Sequence, residues 1–301
     1  MDDATRFAAR VTAREAENFT VLAPFVPRAL RPDMQAVYAF CRGADNVADA
    51  GATAEARAMA LVELGRWRVD LMRCAQTVGD NRAMGEPLHP VFVALGETIR
   101  KHDLPLVFFQ ELLSAFEQDQ RMIRYSTWEQ LIDYSRRSAN PVGRICLWLA
   151  GHRWDLESPK VEPRISMSDS VCTGLQLANF WQDVRRDLLD LDRVYLPLTE
   201  TGLSADEIIE WAKTPATPER RERFAAALRP EVERTRVLFR AGSMLPSMTV
   251  PWLARCVRLF GAGGQTVLRR VEKIGYATLW ERPRVGKCSK LMLVAAELAH
   301  F

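Results

Sequence analysis

Two acidic pairs carry the spacing that chemistry needs: Asp45 and Asp49 in YAFCRGADNVADA, and Asp183 and Asp187 in LQLANFWQDVRRD. Residues four apart on a helix lie one above the other, so each pair presents two carboxylates about 6 Å apart on one face. At that distance two like charges repel by roughly 3 kcal/mol at an effective dielectric near 20. A bound divalent cation removes the repulsion, and hard carboxylate oxygens favour magnesium, with manganese as a substitute. One such pair alone usually marks a solvated helix face. Two matched pairs set among aromatic and aliphatic residues point instead to a metal site with Asp45, Asp49, Asp183 and Asp187 as ligands.

The neighbours extend each pair into a stripe. Tyr38, Arg42, Asp45 and Asp49 recur at helical steps, while Val37, Phe40, Cys41, Ala44 and Ala48 fill the other faces. Gln176, Asn179, Asp183 and Asp187 do the same among Val171, Cys172, Leu175, Leu177, Ala178, Phe180 and Trp181. Both stripes are expected to face inward.

The elements that hold these stripes read as helices. Helical periodicity runs through the chain without a convincing strand or repeat, so the fold class expected is all-α. Breaks fall at residues 24–32, 79–90, 159–163, 197–202, 215–218 and 244–251, each marked by Pro or Gly. The GAGG at 261–264 follows no strand and is read as a helix packing closely on a neighbour rather than a nucleotide fingerprint; no nicotinamide site is expected.

Composition sets the remaining bounds. With 301 residues and 48% hydrophobic content, the chain can bury a large core as one large helical domain or two small ones. A net charge of +3, without dense basic runs, argues against nucleic acid and suits an anionic ligand or membrane surface. Six cysteines without a CxxC pair, several in apolar helical runs, read as reduced core residues of a cytoplasmic protein, and the four histidines lack metal spacing. No apolar run is long enough to span a bilayer, and the N-terminus lacks a secretory signal. The segment 282–301, with Arg282, Arg284, Lys287 and Lys290 beside Leu291 to Val294, is read as a terminal helix capping the bundle. The other reading is a peripheral contact with the inner face of a membrane.

The order ENF, LRPDMQAVYAFCRGADNVAD, NPVGRI, LQLANFWQDVRRD and RVYLP resembles the squalene and phytoene synthase family of head-to-head prenyl transferases over nearly the whole chain. That resemblance implies a single helical domain over 1–301, an isoprenoid-synthase-type bundle around a central cavity. It implies that Asp45, Asp49, Asn179, Asp183 and Asp187 hold magnesium against a diphosphate, with Arg42 binding phosphate. It also implies that Tyr38, Tyr134, Gly143 and Gln176 line the cavity, that Arg193 and Tyr195 belong to the segment closing it, and that Tyr276 is a C-terminal cavity tyrosine. Within the family, SANPVGR (138–144), ANFWQDV (178–184) and ERPRVGK (281–287) are most similar to members that make hydroxysqualene in bacterial hopanoid biosynthesis.

The chain departs from the family pattern in three places. Asn46 replaces an acid inside the first motif and leaves the outer pair intact. Glu15-x-x-Asn18-Phe19 stands where many members carry His-x-x-Ser-Phe, which alters one diphosphate subsite while keeping Asn18 and Phe19 as substrate contacts. Gln182 precedes Asp183 where relatives condensing two farnesyl diphosphates commonly carry a base, so a substrate with one diphosphate is favoured. The expected reaction is therefore magnesium-dependent ionisation of presqualene diphosphate, with capture of the cation by water. Phe19, Phe40, Tyr134 and Phe180 are candidate aromatic walls for that cation. Ser138, Asn140, Asn179 and Gln182 are candidates for placing the water, each also explicable as a cap or core hydrogen bond. The alternatives are condensation of two farnesyl diphosphates to presqualene diphosphate, squalene, dehydrosqualene or phytoene, and a non-catalytic scaffold member.

Overall fold

The computed structural model describes residues 25–76, 88–158 and 161–283. Asn18, Phe19, Cys288 and most of the basic C-terminal segment lie outside the described residues. Helices dominate, as the periodicity predicts; the breaks expected at 215–218 and 244–251 separate helices, whereas a short helix occupies Leu198–Thr201 inside the break expected at 197–202. The chain separates into two compact units, one comprising Met1–Arg121 with Ile145–Arg153, the other Met122–Arg144 with Trp154–Phe301.

In the first unit, α1 (Arg31–Ala48), α2 (Ala54–Gln76), α3 (Pro90–His102) and α4 (Leu106–Asp119) pack on one another. Pro32 and Pro90 sit in the first turns of α1 and α3, where a missing N–H costs nothing. The His89 ring accepts a hydrogen bond from the Val91 N–H at the start of α3, and Asp103, with φ +49°, ends it. The core is an aromatic cluster: Phe40 lies 5.4 Å from Phe109 and 6.0 Å from Phe92, both edge-on, and 5.6 Å from Trp67. Trp67 fits because Gly43 has no side chain; a Cβ there would come within 2.3 Å of the indole. Buried Asp33 ties the start of α1 to the end of α3, accepting from Lys101 at 2.7 Å and meeting His102 Nε2 at 2.9 Å. His102 is thus a partner to a buried carboxylate.

The second unit is built on a long helix, α7 (Pro163–Leu191), flanked by α5 (Trp128–Ser138), α10 (Pro218–Ala241) and α11 (Pro251–Lys273), with the short α8 (Leu198–Thr201) and α9 (Ala205–Lys213) between. The remaining helix, α6 (Asn140–Leu149), contributes its first half to this unit and its second half to the other. The GAGG segment lies inside α11, and its last residue behaves as its sequence suggested. A Cβ on Gly264 would meet Phe239 at 2.5 Å, whereas Gly261 and Gly263 face open space.

One feature departs from the sequence reading. Arg124–Tyr125 (β1) pairs in parallel with Val194–Pro197 (β2), Arg124 opposite Val194. All four residues of β2 are buried, so the segment has no polar alternation by which a strand could be recognised. Cys41, Cys74, Cys146, Cys172 and Cys256 are free thiols. Among the described residues, no helix is long and apolar enough to cross a membrane.

Candidate functional site

The first acidic pair sits at the C-terminal end of α1. Tyr38, Arg42, Asp45 and Asp49 are all half-buried, and Asn46 is exposed. Asp49 is the residue at which the helix stops (φ −92°, ψ 15°), its N–H still bonded to the Asp45 carbonyl at 2.9 Å. Arg42 Nη1 lies 2.7 Å from Asp45 Oδ2, one turn away. Burial, and then the charge of Asp45, push the neighbouring Cys41 thiol up to about 12, so it stays protonated.

The second pair lies on α7. Asp183 is buried and has non-helical dihedrals (φ −108°, ψ 15°), so the helix is kinked at this acidic residue. Both oxygens of its carboxylate are engaged by Arg282, with Nε at 2.6 Å from Oδ1 and Nη2 at 2.9 Å from Oδ2; Arg186 approaches to 3.5 Å. Gln182 donates to the Pro283 carbonyl at 2.7 Å, and Arg185 to the carbonyls of Leu279, at 3.1 Å, and Ala212. Gln176 and Asp187 are half-buried and Asn179 is exposed, so the second stripe faces partly outward at Asn179. Arg193 is buried, and its backbone N–H returns to the Asp187 carbonyl at 2.9 Å, closing the turn from helix to strand.

A cluster of aromatic rings adjoins this pair. Phe180, one turn before Asp183, stacks on Tyr195 with ring centroids 3.9 Å apart and planes 3° apart. Tyr134 lies 6.0 Å from Phe180 and 5.6 Å from Tyr195. Tyr125 completes the group, 5.4 Å from Tyr195 and 5.6 Å from Tyr134. The sequence reading missed Tyr125 because β1 has no motif of its own. The available signal was scarcity: the chain has only five tyrosines, and Tyr125 is the one that remained without a role. Tyr276 stands apart, in left-handed backbone (φ +61°) with Arg229 5.3 Å from its ring centroid. Phe40 belongs to the core of the first unit rather than to this group.

The candidates for placing water divide. Thr173 donates to Asn140 Oδ1 at 2.9 Å, so that buried oxygen serves a contact between α6 and α7. The Gln182 amide is engaged by the Pro283 carbonyl. Ser138 Oγ, at the end of α5, is buried without a hydrogen-bond partner among the described residues. Gly143 marks a close approach of α6 to α7, where a Cβ would lie 2.5 Å from Ser168 Oγ and 2.6 Å from Cys172 Sγ.

The donor set fits a hard divalent cation. Each pair already attracts a cationic side chain, Arg42 on Asp45 and Arg282 on Asp183. No cluster of three or more His, Cys, Asp and Glu that could hold a metal occurs among the described residues. Two carboxylates per ion suit magnesium, which takes few protein oxygens and keeps several waters.

A helical fold with acidic pairs on two helices and an aromatic cluster beside one of them defines an isoprenoid-synthase type of protein. The squalene/phytoene synthase family profile matches residues 12–289, and the chain belongs to that family. It is 35% identical over 183 residues, 60% of this chain, to a hydroxysqualene synthase of Zymomonas mobilis, and 30% identical over 222 residues, 72% of this chain, to one from Rhodopseudomonas palustris. The matched stretch spans 54% of the Zymomonas protein and 68% of the Rhodopseudomonas protein. Among solved structures it resembles the squalene synthase HpnC of Alicyclobacillus acidocaldarius, with 37% identity, a TM-score of 0.74 and coverage of 91% of this chain and 94% of that one. A dehydrosqualene synthase shares the fold at 18% identity, with a TM-score of 0.77 and coverage of 99% and 96%.

Proposed function

We propose that the protein converts presqualene diphosphate and water to hydroxysqualene and diphosphate, in a magnesium-dependent reaction serving squalene and hopanoid synthesis. The observation that carries this reading is the placement of Phe180 one turn from Asp183, stacked on Tyr195 and close to Tyr134. Ionising a prenyl diphosphate produces an anion and a carbocation together, and here a carboxylate suited to metal adjoins an aromatic surface suited to a cation.

In this reading residues 1–301 act as one domain. Asp45, Asp49, Asn179, Asp183 and Asp187 hold the metal, which when bound neutralises the charge developing on the departing diphosphate. Arg42 exchanges its Asp45 contact for a phosphate oxygen. Tyr38, Gly143, Gln176, Arg193, Tyr276, Asn18 and Phe19 contact substrate or line its cavity, and Tyr134, Phe180 and Tyr195 shield the cation from bulk water. The unpartnered Ser138 hydroxyl supports its choice, ahead of Asn140 and Gln182, for holding the water that captures the cation. The protein works in the cytoplasm or at the inner membrane face and uses no nicotinamide.

Gln182 and the named hydroxysqualene synthase relatives favour this over condensation of two farnesyl diphosphates. Retention of both acidic pairs disfavours a catalytically silent scaffold. The test is incubation of the purified protein with magnesium and either presqualene diphosphate or farnesyl diphosphate, with the neutral lipids identified by mass spectrometry. Hydroxysqualene from presqualene diphosphate supports the proposal. Consumption of farnesyl diphosphate makes the protein a condensing synthase, and turnover of neither removes both readings.

A further inference from the structure

We infer that the cavity between α10 and the turn joining α8 to α9 is a binding site for a primary alkylammonium ion, with Glu231 as its counter-charge. Its lining includes neither acidic pair, and the inference does not depend on the proposed reaction.

The cavity measures about 340 Å3. Buried Leu203, Ala227 and Glu231 line it, as do Ala226 and Pro230 at exposed positions, so its walls are largely apolar and one side opens to solvent. Glu231 is only 3% exposed. Among the described residues, the one side chain hydrogen-bonded to its carboxyl is Arg234, with Nη1 3.5 Å from Oε2. That guanidinium is already committed elsewhere: the same Nη1 lies 2.5 Å from Glu200 Oε2, and the group sits 5.2 Å from the Trp128 ring centroid. Arg223, the other cation in the lining, pairs with Glu207 at 2.9 Å. The buried carboxyl is left with a distant, shared counter-ion.

A second acceptor in the lining lacks its usual donor. Pro230 sits inside α10 and has no N–H to give the Ala226 carbonyl, four residues earlier. An ammonium group brings three donors and a positive charge to these acceptors, while its aliphatic stem covers Leu203, Ala227 and Pro230. An anion would bring only further acceptors. The charges agree: Glu200 and Glu231 in the lining, Glu207 on Arg223 and Glu129 acting on Arg234 outnumber the two guanidiniums.

Burial, helped by Glu200 and opposed by Arg234, pushes the Glu231 carboxyl up to about 7. The elements on its other sides leave that balance alone. From α7, Trp181 makes an uncharged contact by donating to Thr235, and α11 meets α10 at the Arg236–Glu272 pair. The ammonium takes the ionised carboxyl, so its binding strengthens as pH rises through 7.

The test is calorimetric titration of the full-length protein with hexylammonium chloride at pH 6 and pH 8, with hexanoate and hexanol as controls of equal chain length. Hexylammonium should bind about tenfold more tightly at pH 8, the ratio of ionised Glu231 at the two values. Glu231→Gln should weaken binding about tenfold or more and abolish the pH dependence, the scale of one charge-assisted hydrogen bond. Ala226→Leu places a larger side chain in the cavity from an exposed helical position that suits leucine. It should weaken binding by a similar factor, and it carries the test if the glutamine variant fails to fold. Hexanoate and hexanol should bind far more weakly than hexylammonium. The site is overturned if hexylammonium does not bind, if either control binds as well, if affinity is the same at both pH values, or if binding survives the variants.

Discussion

Phe180 and Tyr195 lie face to face, 3.9 Å between centroids and 3° from parallel, although fifteen positions of chain and the end of α7 separate them. The contact locks the strand after α7 onto the helix that carries Asp183. Tyr195→Leu and Phe180→Leu should each lower Tm, and a double-mutant cycle between them should show coupling of about 0.5–1.5 kcal/mol. Additive effects would mean that the stack is incidental to stability.

Removing one carboxylate from either pair should cost metal-assisted ionisation. Asp45→Asn and Asp183→Asn are each expected to lower turnover of presqualene diphosphate about a hundredfold or more, the scale of losing one preorganised group that stabilises developing charge. Asn46→Ala, at an exposed position in the same helix, should leave turnover within a few fold. Steady-state kinetics across a magnesium series distinguish the cases, because the aspartate variants should also need more metal.

Gly143→Ala would drive a methyl group into Ser168 Oγ and Cys172 Sγ. Overpacking of this kind costs about 1–3 kcal/mol, read as a lower urea midpoint. Adding Ser168→Ala and Cys172→Ala removes both obstructing atoms and should recover most of the loss. If the triple variant remains as unstable as Gly143→Ala, the close approach of α6 and α7 is not the reason for the glycine.

Glu231 gives the stability a pH dependence of unusual sign. Burial, helped by the nearby charge of Glu200 and opposed by Arg234, raises its carboxyl from 4.5 to about 7. Between those values the folded protein holds a proton that the unfolded chain has released, so this group's contribution to stability falls as pH rises from about 4.5 through 7. Glu231→Gln should therefore raise Tm more at pH 8 than at pH 5. Equal shifts at the two pH values would show that the carboxyl ionises normally in the folded protein.

The helices, several of their ends and the helical placement of both acidic pairs were legible in the sequence because each is a local property: periodicity for the helices, Pro for the ends, four-residue spacing for the acids. What the sequence could not reveal depends on distant partners. Tyr125 reaches Tyr134 and Tyr195 only through the pairing of β1 with β2, and β2 is buried throughout, so alternation gave no warning of it. Arg282 is almost a hundred positions from Asp183, and nothing in ERPRV announces the carboxylate it will meet. Spacing also assumes an unbroken helix, whereas α7 is kinked at Asp183 itself. Phe40 shows the reverse case: its position near an acidic motif suggested a cavity wall, but Trp67, Phe92 and Phe109 enclose it as core.

The chain route has a consequence for how the protein is made. The first unit is closed not by α4 but by Ile145–Arg153, which arrives only after Met122–Arg144 has been committed to the second. A ribosome that has released α1 through α4 has therefore delivered an unfinished core, with Trp148 still to come against Phe108 and against the His102 carbonyl. Early segments must wait for later ones, and contacts made late in synthesis slow folding and prolong exposure of apolar surface. No cut of the polypeptide into two continuous pieces yields both units whole. A fragment ending near residue 121 should aggregate, whereas one extended through residue 153 would carry the missing residues together with a stretch of its neighbour.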